Sequence, residues 1–154
     1  MTTRPDWDPY FMIIADAVSL RMSCDRARIG AVIVSSDRRI LSTGYGGAPS
    51  GWPSCDEVGH ELVDMGGRQS CVRTVHAEEN AIVTAARHGV QCDGGVLYTT
   101  AMTCYDCFKM SAQAGIQRIV YAAEYKSARS GTIDILKLAA ERGIMMVHLP
   151  IPPR

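Results

Sequence analysis

The 154-residue chain has the length of one compact domain, and its 47% hydrophobic and 21% charged residues are ordinary for a globular protein. Sixteen basic and sixteen acidic residues cancel, which argues against an extended nucleic-acid partner, because such a partner needs a surplus of Lys and Arg. No apolar run reaches the roughly 18 residues that cross a bilayer, and residues 1–8 lack the apolar core of a secretion signal. We therefore expect one domain over residues 1–154, with no membrane contact, in the cytoplasm, where the six cysteines stay reduced.

Hydrophobic periodicity predicts a helix and a hairpin followed by alternating helices and strands. In chain order the predicted elements are a helix over Pro9–Ser23, strands over Ile29–Ser35 and Ile40–Tyr45, a helix over Val75–Arg87, a strand over Val96–Thr100, a helix over Tyr105–Ala114, a strand over Arg118–Ala122, a helix over Ile133–Arg142 and a strand over Ile144–Leu149. This order indicates an α/β fold in which a mixed sheet is covered by helices. The glycines and prolines of residues 46–74 predict a long loop without regular elements, which is functional or held in place by other groups.

Cys104 and Cys107 lie one helical turn apart at the start of a predicted helix, so both sulfurs can face one metal ion. The helix N-terminus favours thiolate there. His76, at the start of another helix, supplies a third ligand of the kind zinc prefers, and three protein ligands leave a position open for water. A thioredoxin-like redox pair is the alternative for the two cysteines, but it leaves His76 without a role and lacks a Pro or Gly between them.

Glu78 follows His76 by two residues and can reach the open zinc position without binding the metal. There it would take a proton from water and deliver it to a departing amine. Each of these residues taken alone has an ordinary structural explanation. Together, H-x-E followed by C-x-x-C is the pattern of zinc nucleobase deaminases, and it predicts a catalytic zinc at this place.

The chain resembles the deoxycytidylate (dCMP) deaminase family from Trp7 to about Val147. The matching motifs are WDPYFM at 7–12, IGAVIV at 29–34, GY at 44–45, CVRTVHAEENAI at 71–82 and AGI at 114–116. The resemblance implies a cytidine-deaminase-like three-layer α-β-α sandwich with a mixed five-stranded sheet. It also implies hydrolysis of dCMP to dUMP and ammonia, and a homo-oligomer, a hexamer or smaller, with activation by dCTP and inhibition by dTTP.

Three positions depart from the family's pattern. Thr103 stands where relatives have a Pro before the first cysteine, and its hydroxyl can cap the helix instead. Gly46 replaces an Asn that contacts the substrate's sugar in relatives, and Met22 replaces a Ser after Arg21. The alternative is therefore a deaminase of the same fold that acts on another cytosine or amino-heterocycle, such as a nucleoside, a free base or a modified nucleotide.

A second, structural zinc site is predicted from four more thiol and imidazole groups. The long loop contains Cys55, His60 and Cys71, and Cys24 ends the first predicted helix nearby in the expected fold. Some bacterial and phage dCMP deaminases look similar at these positions. The alternative is that these are buried free thiols. Cys92 matches neither site.

The predicted substrate contacts are Ala77 and Asn80 on the His76 helix, Gly46, and an aromatic ring supplied by Tyr125 or Tyr121. Asn80 has an equally good explanation as a brace for the loop. Five cations are candidates for a phosphate: Arg21, Arg26, Arg28, Arg73 and Lys126. A non-enzymatic nucleotide sensor of the same fold is the remaining alternative, and the presence of all four catalytic-site residues argues against it.

Overall fold

A mixed five-stranded sheet forms the centre of the chain. The computed structural model describes residues 4–153, and of Arg129 only the backbone. In spatial order the strands are β2 (Ile40–Tyr45), β1 (Gly30–Val34), β5 (Val96–Ala101), β6 (Arg118–Ala123) and β7 (Met145–His148). β1 is antiparallel to both of its neighbours, whereas β5, β6 and β7 run parallel, which confirms the predicted mixed sheet.

Helices cover both faces of this sheet because alternate strand residues point to opposite sides. On one face Val32 and Val34 pack with the helix α1 (Trp7–Ser19). On the other face Ala31 and Ile33 pack with three helices, α3 (Ala77–Arg87), α4 (Tyr105–Gln113) and α5 (Ile135–Arg142). The two apolar clusters make the three-layer α-β-α sandwich. No helix within residues 4–153 is long and apolar enough to cross a membrane.

The long loop contains regular elements that the sequence interpretation missed, so the prediction of a structureless segment is wrong at three places. A short helix, α2 (Cys55–Val58), is followed by a hairpin of β3 (Leu62–Asp64) and β4 (Gln69–Cys71). The start of α2 is a capping box, because the Glu57 carboxylate accepts the Ser54 backbone N–H at 2.8 Å. A further 3₁₀ turn spans Ala128–Ser130, before α5.

Among the helix boundaries that differ from the prediction, two matter for the site. α1 ends at Ser19 rather than Ser23, because Leu20, Arg21 and Met22 each donate to a carbonyl three residues back and tighten the chain into a turn. Cys24 therefore lies in the following loop, not at the helix end. α3 begins at Ala77, with His76 as its N-cap residue.

The start of α3 lies tightly against β2. A Cβ atom added to Gly44 would lie 2.2 Å from the Ala77 carbonyl oxygen, so only glycine allows this approach. The close packing brings the first turn of α3 down to the end of the sheet, where the loops before α3 and α4 meet.

Candidate active site

Three metal-binding side chains meet where two helices begin. His76 is the N-cap residue of α3, Cys104 is the N-cap residue of α4, and Cys107 lies in the first turn of α4. The His76 Nδ1 atom lies 3.4 Å from Cys104 Sγ and 3.3 Å from Cys107 Sγ. All three ligand atoms lie within 4.8 Å of one another.

These separations suit zinc. With Zn–S near 2.3 Å and Zn–N near 2.05 Å, a tetrahedral ion holds its sulfur and nitrogen ligands about 3.5 Å apart. The donor set of one imidazole and two thiols is also the chemistry that zinc prefers over hard cations. The structure thus brings the three predicted ligands together in an arrangement that fits the metal.

The surroundings favour an ionised sulfur at Cys104. The hydrogen bond with the Cys107 thiol and the contact with the His76 ring lower the pKa of Cys104 to about 4, against the opposing effect of burial. The Cys107 backbone N–H also donates to Cys104 Sγ, at 3.5 Å. In turn the hydrogen bond to Cys104 raises the pKa of His76. A thiolate is the form that binds zinc.

Glu78 lies in the first turn of α3 with only 3% of its surface exposed. Burial raises the pKa of its carboxyl to about 7. One oxygen, Oε1, accepts a hydrogen bond from the Thr99 hydroxyl of β5 at 3.3 Å. This contact fixes the carboxylate beside the three ligands.

Glu78, His76 and Cys104 line one cavity of about 230 Å³. Two arginines, Arg26 and Arg68, are its exposed cationic lining residues. Arg68 comes from the β3–β4 hairpin, and its Nη1 donates to the Lys126 carbonyl oxygen at 2.9 Å. The cavity is therefore negative and buried at one place and positive where it meets solvent.

Some of the predicted substrate contacts line the cavity and others do not. Ala77, Gly46 and Tyr125 line the cavity. Asn80 lies outside that lining, and its Nδ2 donates to the Tyr45 carbonyl oxygen at 3.0 Å, so it braces the end of β2. Tyr121 is buried and stacks on His148, with ring centroids 5.2 Å apart.

Of the five predicted phosphate cations, only Arg26 is among the described residues that line the cavity. Arg73 is engaged within the long loop, where it donates to the Gly59 carbonyl oxygen at 3.2 Å. Arg68 and the apolar Met102 are lining residues that the sequence interpretation missed. The sequence pattern does not point to Arg68 because it predicts an irregular loop where the hairpin lies.

A second group of ligands also assembles. Cys24, Cys55, His60 and Cys71 place their ligand atoms within 4.8 Å of one another. Cys55 Sγ and Cys71 Sγ lie 3.7 Å apart, and Cys24 Sγ lies 3.6 Å from His60 Nδ1. A tetrahedral zinc ion separates two sulfurs by about 3.8 Å and sulfur from nitrogen by about 3.5 Å, so this group fits the metal as well.

The second group carries its own supporting contact. Asp25 Oδ1 lies 3.1 Å from His60 Nε2, an arrangement that leaves Nδ1 free to face a metal. Burial of Cys71 acts to raise its pKa, but backbone N–H donors near Arg73 and Glu61 lower it to about 7. Cys24 and Cys71 also line the cavity described above, so the second group forms part of its wall.

Thr103 does not cap α4, contrary to expectation. The cap is made by Cys104, whose side chain accepts the Cys107 N–H, and Thr103 Oγ1 is buried without a hydrogen-bond partner among the described residues. Cys92 is buried in the apolar cluster on the α3 side and belongs to neither ligand group.

Residues 5–123 match the family described as the cytidine and deoxycytidylate deaminase zinc-binding region. The chain is 41% identical over 130 residues to deoxycytidylate deaminase of Mycobacterium phage D29, covering 79% of this chain and 98% of that one. The chain is also 39% identical to ComE operon protein 2 of Bacillus subtilis. The match covers 80% of this chain and 63% of that protein. The dCMP deaminase from the cyanophage S-TIM5, solved in complex with dCMP and dUMP, superposes with a TM-score of 0.77 at 31% identity, over 96% of this chain and 100% of that one.

A mixed sheet that carries one histidine, two cysteines and a buried glutamate at the start of two helices defines a zinc deaminase fold. The chain belongs to the cytidine and deoxycytidylate deaminase family.

Proposed function

We propose that this protein is a zinc-dependent hydrolase that converts dCMP to dUMP and ammonia. The observation that carries the proposal is the buried Glu78 carboxylate, which lines the same cavity as His76 and Cys104, two of the three zinc-type ligands, while two arginines line the exposed side of that cavity. The relatives named deoxycytidylate deaminase and the dCMP-bound cyanophage structure support the choice of substrate.

His76, Cys104 and Cys107 would hold the catalytic zinc. When bound in a three-ligand site, zinc supplies Lewis-acid activation of a water molecule. The chain's own contribution is to present the ligands on two rigid helix starts and to keep the Cys104 thiol ionised, as its low pKa indicates.

Glu78 moves the protons. Its carboxylate accepts the protons of the water whose oxygen attacks C4 of the cytosine ring, and it donates one to ring nitrogen N3 and the other to the leaving amino nitrogen. The C4–N bond breaks, a C4–O bond forms, and water and dCMP become dUMP and ammonia. The Thr99 hydroxyl holds the carboxylate in place, and burial keeps bulk water from competing for the proton.

The charges of the cavity favour a nucleotide over a free base. A 5′-phosphate needs one or two guanidinium groups, and Arg26 and Arg68 supply them on the exposed side, away from Glu78. Tyr125, 39% exposed, offers a ring on which a base can stack.

Ammonia release tests the reaction. The purified protein with zinc would be assayed with dCMP, dCTP, CMP, cytidine, cytosine and guanine, and we expect dCMP to have the highest kcat/KM. Glu78→Gln should retain zinc and lose about 10²- to 10⁴-fold in kcat, whereas the exposed control Glu141→Gln should match the wild type. No turnover of dCMP together with turnover of another amine would refute the proposed substrate, and an active Glu78→Gln would remove Glu78 from its role.

The arginines give a second, independent test. Arg26→Ala and Arg68→Ala should each raise the KM for dCMP about tenfold or more, because each removes a charged hydrogen bond to phosphate. The same variants should leave the kinetics of cytidine, which has no phosphate, nearly unchanged. Arg87→Ala, an exposed cation at the far end of α3, is the control. Equal losses on dCMP and cytidine would show that the arginines act on the fold and not on a phosphate.

We further propose that Cys24, Cys55, His60 and Cys71 hold a structural zinc that fixes the long loop as a wall of the cavity. The five cysteines of the two ligand groups need a reducing compartment, which supports a cytoplasmic location. Fractionation of expressing cells that found the protein outside the cytoplasm would contradict this location.

A homo-oligomer, a hexamer or smaller, follows from the resemblance and is supported by exposed apolar side chains, among them Trp52, Met145 and Val83. Light scattering after gel filtration should show more than one chain per particle, and a monomer at all concentrations would contradict it. Activation by dCTP and inhibition by dTTP stay predictions, tested by adding each nucleotide to the dCMP assay.

A further inference from the structure

Gly46 lies in the wall of the cavity at a position that does not require glycine for its backbone. Its φ lies outside the left-handed region, so an ordinary residue can adopt the same conformation. A Cβ atom at residue 46 would instead lie 2.9 Å from Met22 Cε and 3.3 Å from Met22 Sδ. The end of the Met22 side chain thus fills the space in front of Gly46.

The wall that these two residues make offers a ligand little to bond with. The Gly46 N–H donates to the Ile29 carbonyl oxygen at 3.3 Å, and the Gly46 carbonyl oxygen accepts the Ser23 N–H at 3.4 Å. Met22 Sδ already accepts the Ile29 N–H at 3.2 Å. Both backbone groups of Gly46 and the thioether are therefore committed within the protein.

We propose that Met22 is a specificity-determining residue. Its thioether excludes a side chain from position 46 and gives the cavity an apolar wall. This wall recognises the pentose of the nucleotide by packing and not by hydrogen bonds to the sugar hydroxyls. This inference rests on the proposed function for the identity of the ligand. The pairing of Met22 with Gly46 rests on the geometry alone.

The position of the pentose follows from the charges of the cavity. The amine that leaves must lie at Glu78, and the phosphate must lie toward Arg26 and Arg68, so the sugar occupies the space that connects them. Met22 and Gly46 are lining residues of that same cavity. A thioether is flexible and polarisable, and it packs well against the C–H face of a ring. A sugar hydroxyl turned to this wall loses its water without gaining a partner.

A double-variant cycle on thermal unfolding tests the pairing without any substrate. Gly46→Asn should lower the Tm of the zinc-loaded protein by about 3 °C or more, because the new side chain overpacks the space held by Met22. In the Met22→Ser background the same change should lower the Tm by less than half as much. Met102→Ser, which shortens another methionine of the cavity, is the matched control and should give no relief. Additive Tm shifts in the Met22→Ser background would overturn the pairing.

Three nucleotides that differ only in sugar hydroxyls test the recognition. For wild type, the kcat/KM values of 2′,3′-dideoxycytidine monophosphate and dCMP should agree within about threefold, since no hydrogen bond at this wall is lost. In Met22→Ser with Gly46→Asn, the kcat/KM ratio of dCMP or CMP to the dideoxy compound should rise about fivefold or more, because the amide can now bond a hydroxyl. Met22→Ala with Gly46→Asn serves the same purpose if the serine variant folds poorly.

The outcomes separate the two proposals. A wild type that already loses tenfold or more in kcat/KM without the hydroxyl would overturn the apolar wall, and so would an unchanged ratio in the double variant. No turnover of dCMP by the wild type, with the Tm coupling intact, would overturn the proposed function and the pentose assignment with it, while supporting the pairing of Met22 with Gly46.

Discussion

The Asp8 carboxylate connects the first helix to two strands of the sheet, and its replacement should lower the stability of the protein measurably. Its Oδ1 accepts the Tyr98 hydroxyl at 2.7 Å and Arg118 Nη1 at 2.8 Å, and its Oδ2 accepts Arg118 Nη2 at 2.5 Å. These contacts tie α1 to β5 and β6. Asp8→Asn removes the charge, leaves one carbonyl acceptor and turns an NH₂ group toward the guanidinium.

The size of the effect follows from the exposure of the pair. A hydrogen bond to a charged group contributes about 1.5–3 kcal/mol when well buried. The side chains of Arg118 and Asp8 are 26% and 31% exposed, so solvent screening reduces the sum of the contacts to a net loss of about 2 kcal/mol on Asp8→Asn. For a chain of this length that loss corresponds to a fall in Tm of about 6 °C.

The pH dependence gives the prediction its sign. The Arg118 hydrogen bond lowers the pKa of Asp8 below its ordinary value. The stabilisation is therefore complete above the unfolded-state pKa of about 4 and is lost as the pH falls through the lower folded-state pKa. Calorimetry at constant ionic strength should show a constant Tm gap between wild type and Asp8→Asn from about pH 8 to 5, and a shrinking gap below about pH 4.

Asp6→Asn is the matched control, since Asp6 lies just before the same helix and makes no side-chain capping bond. Asp6→Asn changes the charge near the helix start by the same amount as Asp8→Asn. Any effect of the helix dipole, or of zinc loss in acid, is therefore the same in both variants. A gap of less than about 1.5 °C at pH 7, or one that widens as the pH falls, would refute this account of the network.

The remaining predictions concern the metals and the site's supports. Metal analysis should find two zinc ions per chain in the wild type. The number should fall to one in Cys55→Ser and in Cys107→Ser, and it should stay at two in the control Cys92→Ser. One zinc ion in the wild type would exclude the second site. Asp25→Ala should weaken zinc binding by the second group about 10- to 100-fold in a chelator competition, because it removes the acceptor that orients the His60 ring. Unchanged affinity would show that the contact is incidental. Thr103→Val should raise the unfolding free energy by about 1 kcal/mol at unchanged zinc content, because it removes a buried hydroxyl that has no partner among the described residues; a loss of stability would mean that the hydroxyl is bonded in solution.

The grouping of the three zinc-type ligands could be predicted from the sequence because they lie in two short segments, one of which also contains Glu78. His76 and Glu78 lie two residues apart, Cys104 and Cys107 lie one helical turn apart, and each pair follows a strand or loop and begins a helix. The three-residue spacing of the two cysteines places both sulfurs on one side of the helix start. Periodicity likewise predicted the five strands of the main sheet, because a buried strand and an amphipathic helix have different spacings of apolar residues.

The long loop shows what local patterns do not determine. Its hairpin and short helix are rich in glycine and polar residues, and they hold their places through contacts with distant parts of the chain, such as the Arg26 Nη2 bond to the Gln69 carbonyl oxygen at 2.5 Å. Arg68 reaches the cavity only because the β3–β4 turn lies over it. Met22 and Gly46 lie 24 positions apart in the chain, and no spacing rule connects them.

The sequence by itself determined the chemistry, since the identity and local spacing of four residues specify a metal and a proton carrier. Only the tertiary structure decided which cations face the ligand, which polar groups are already satisfied, and why Asn80 braces a strand outside the cavity lining. The physical reason is that ligand type is a property of side chains in short segments, whereas the shape and polarity of a cavity come from loops that meet through the fold.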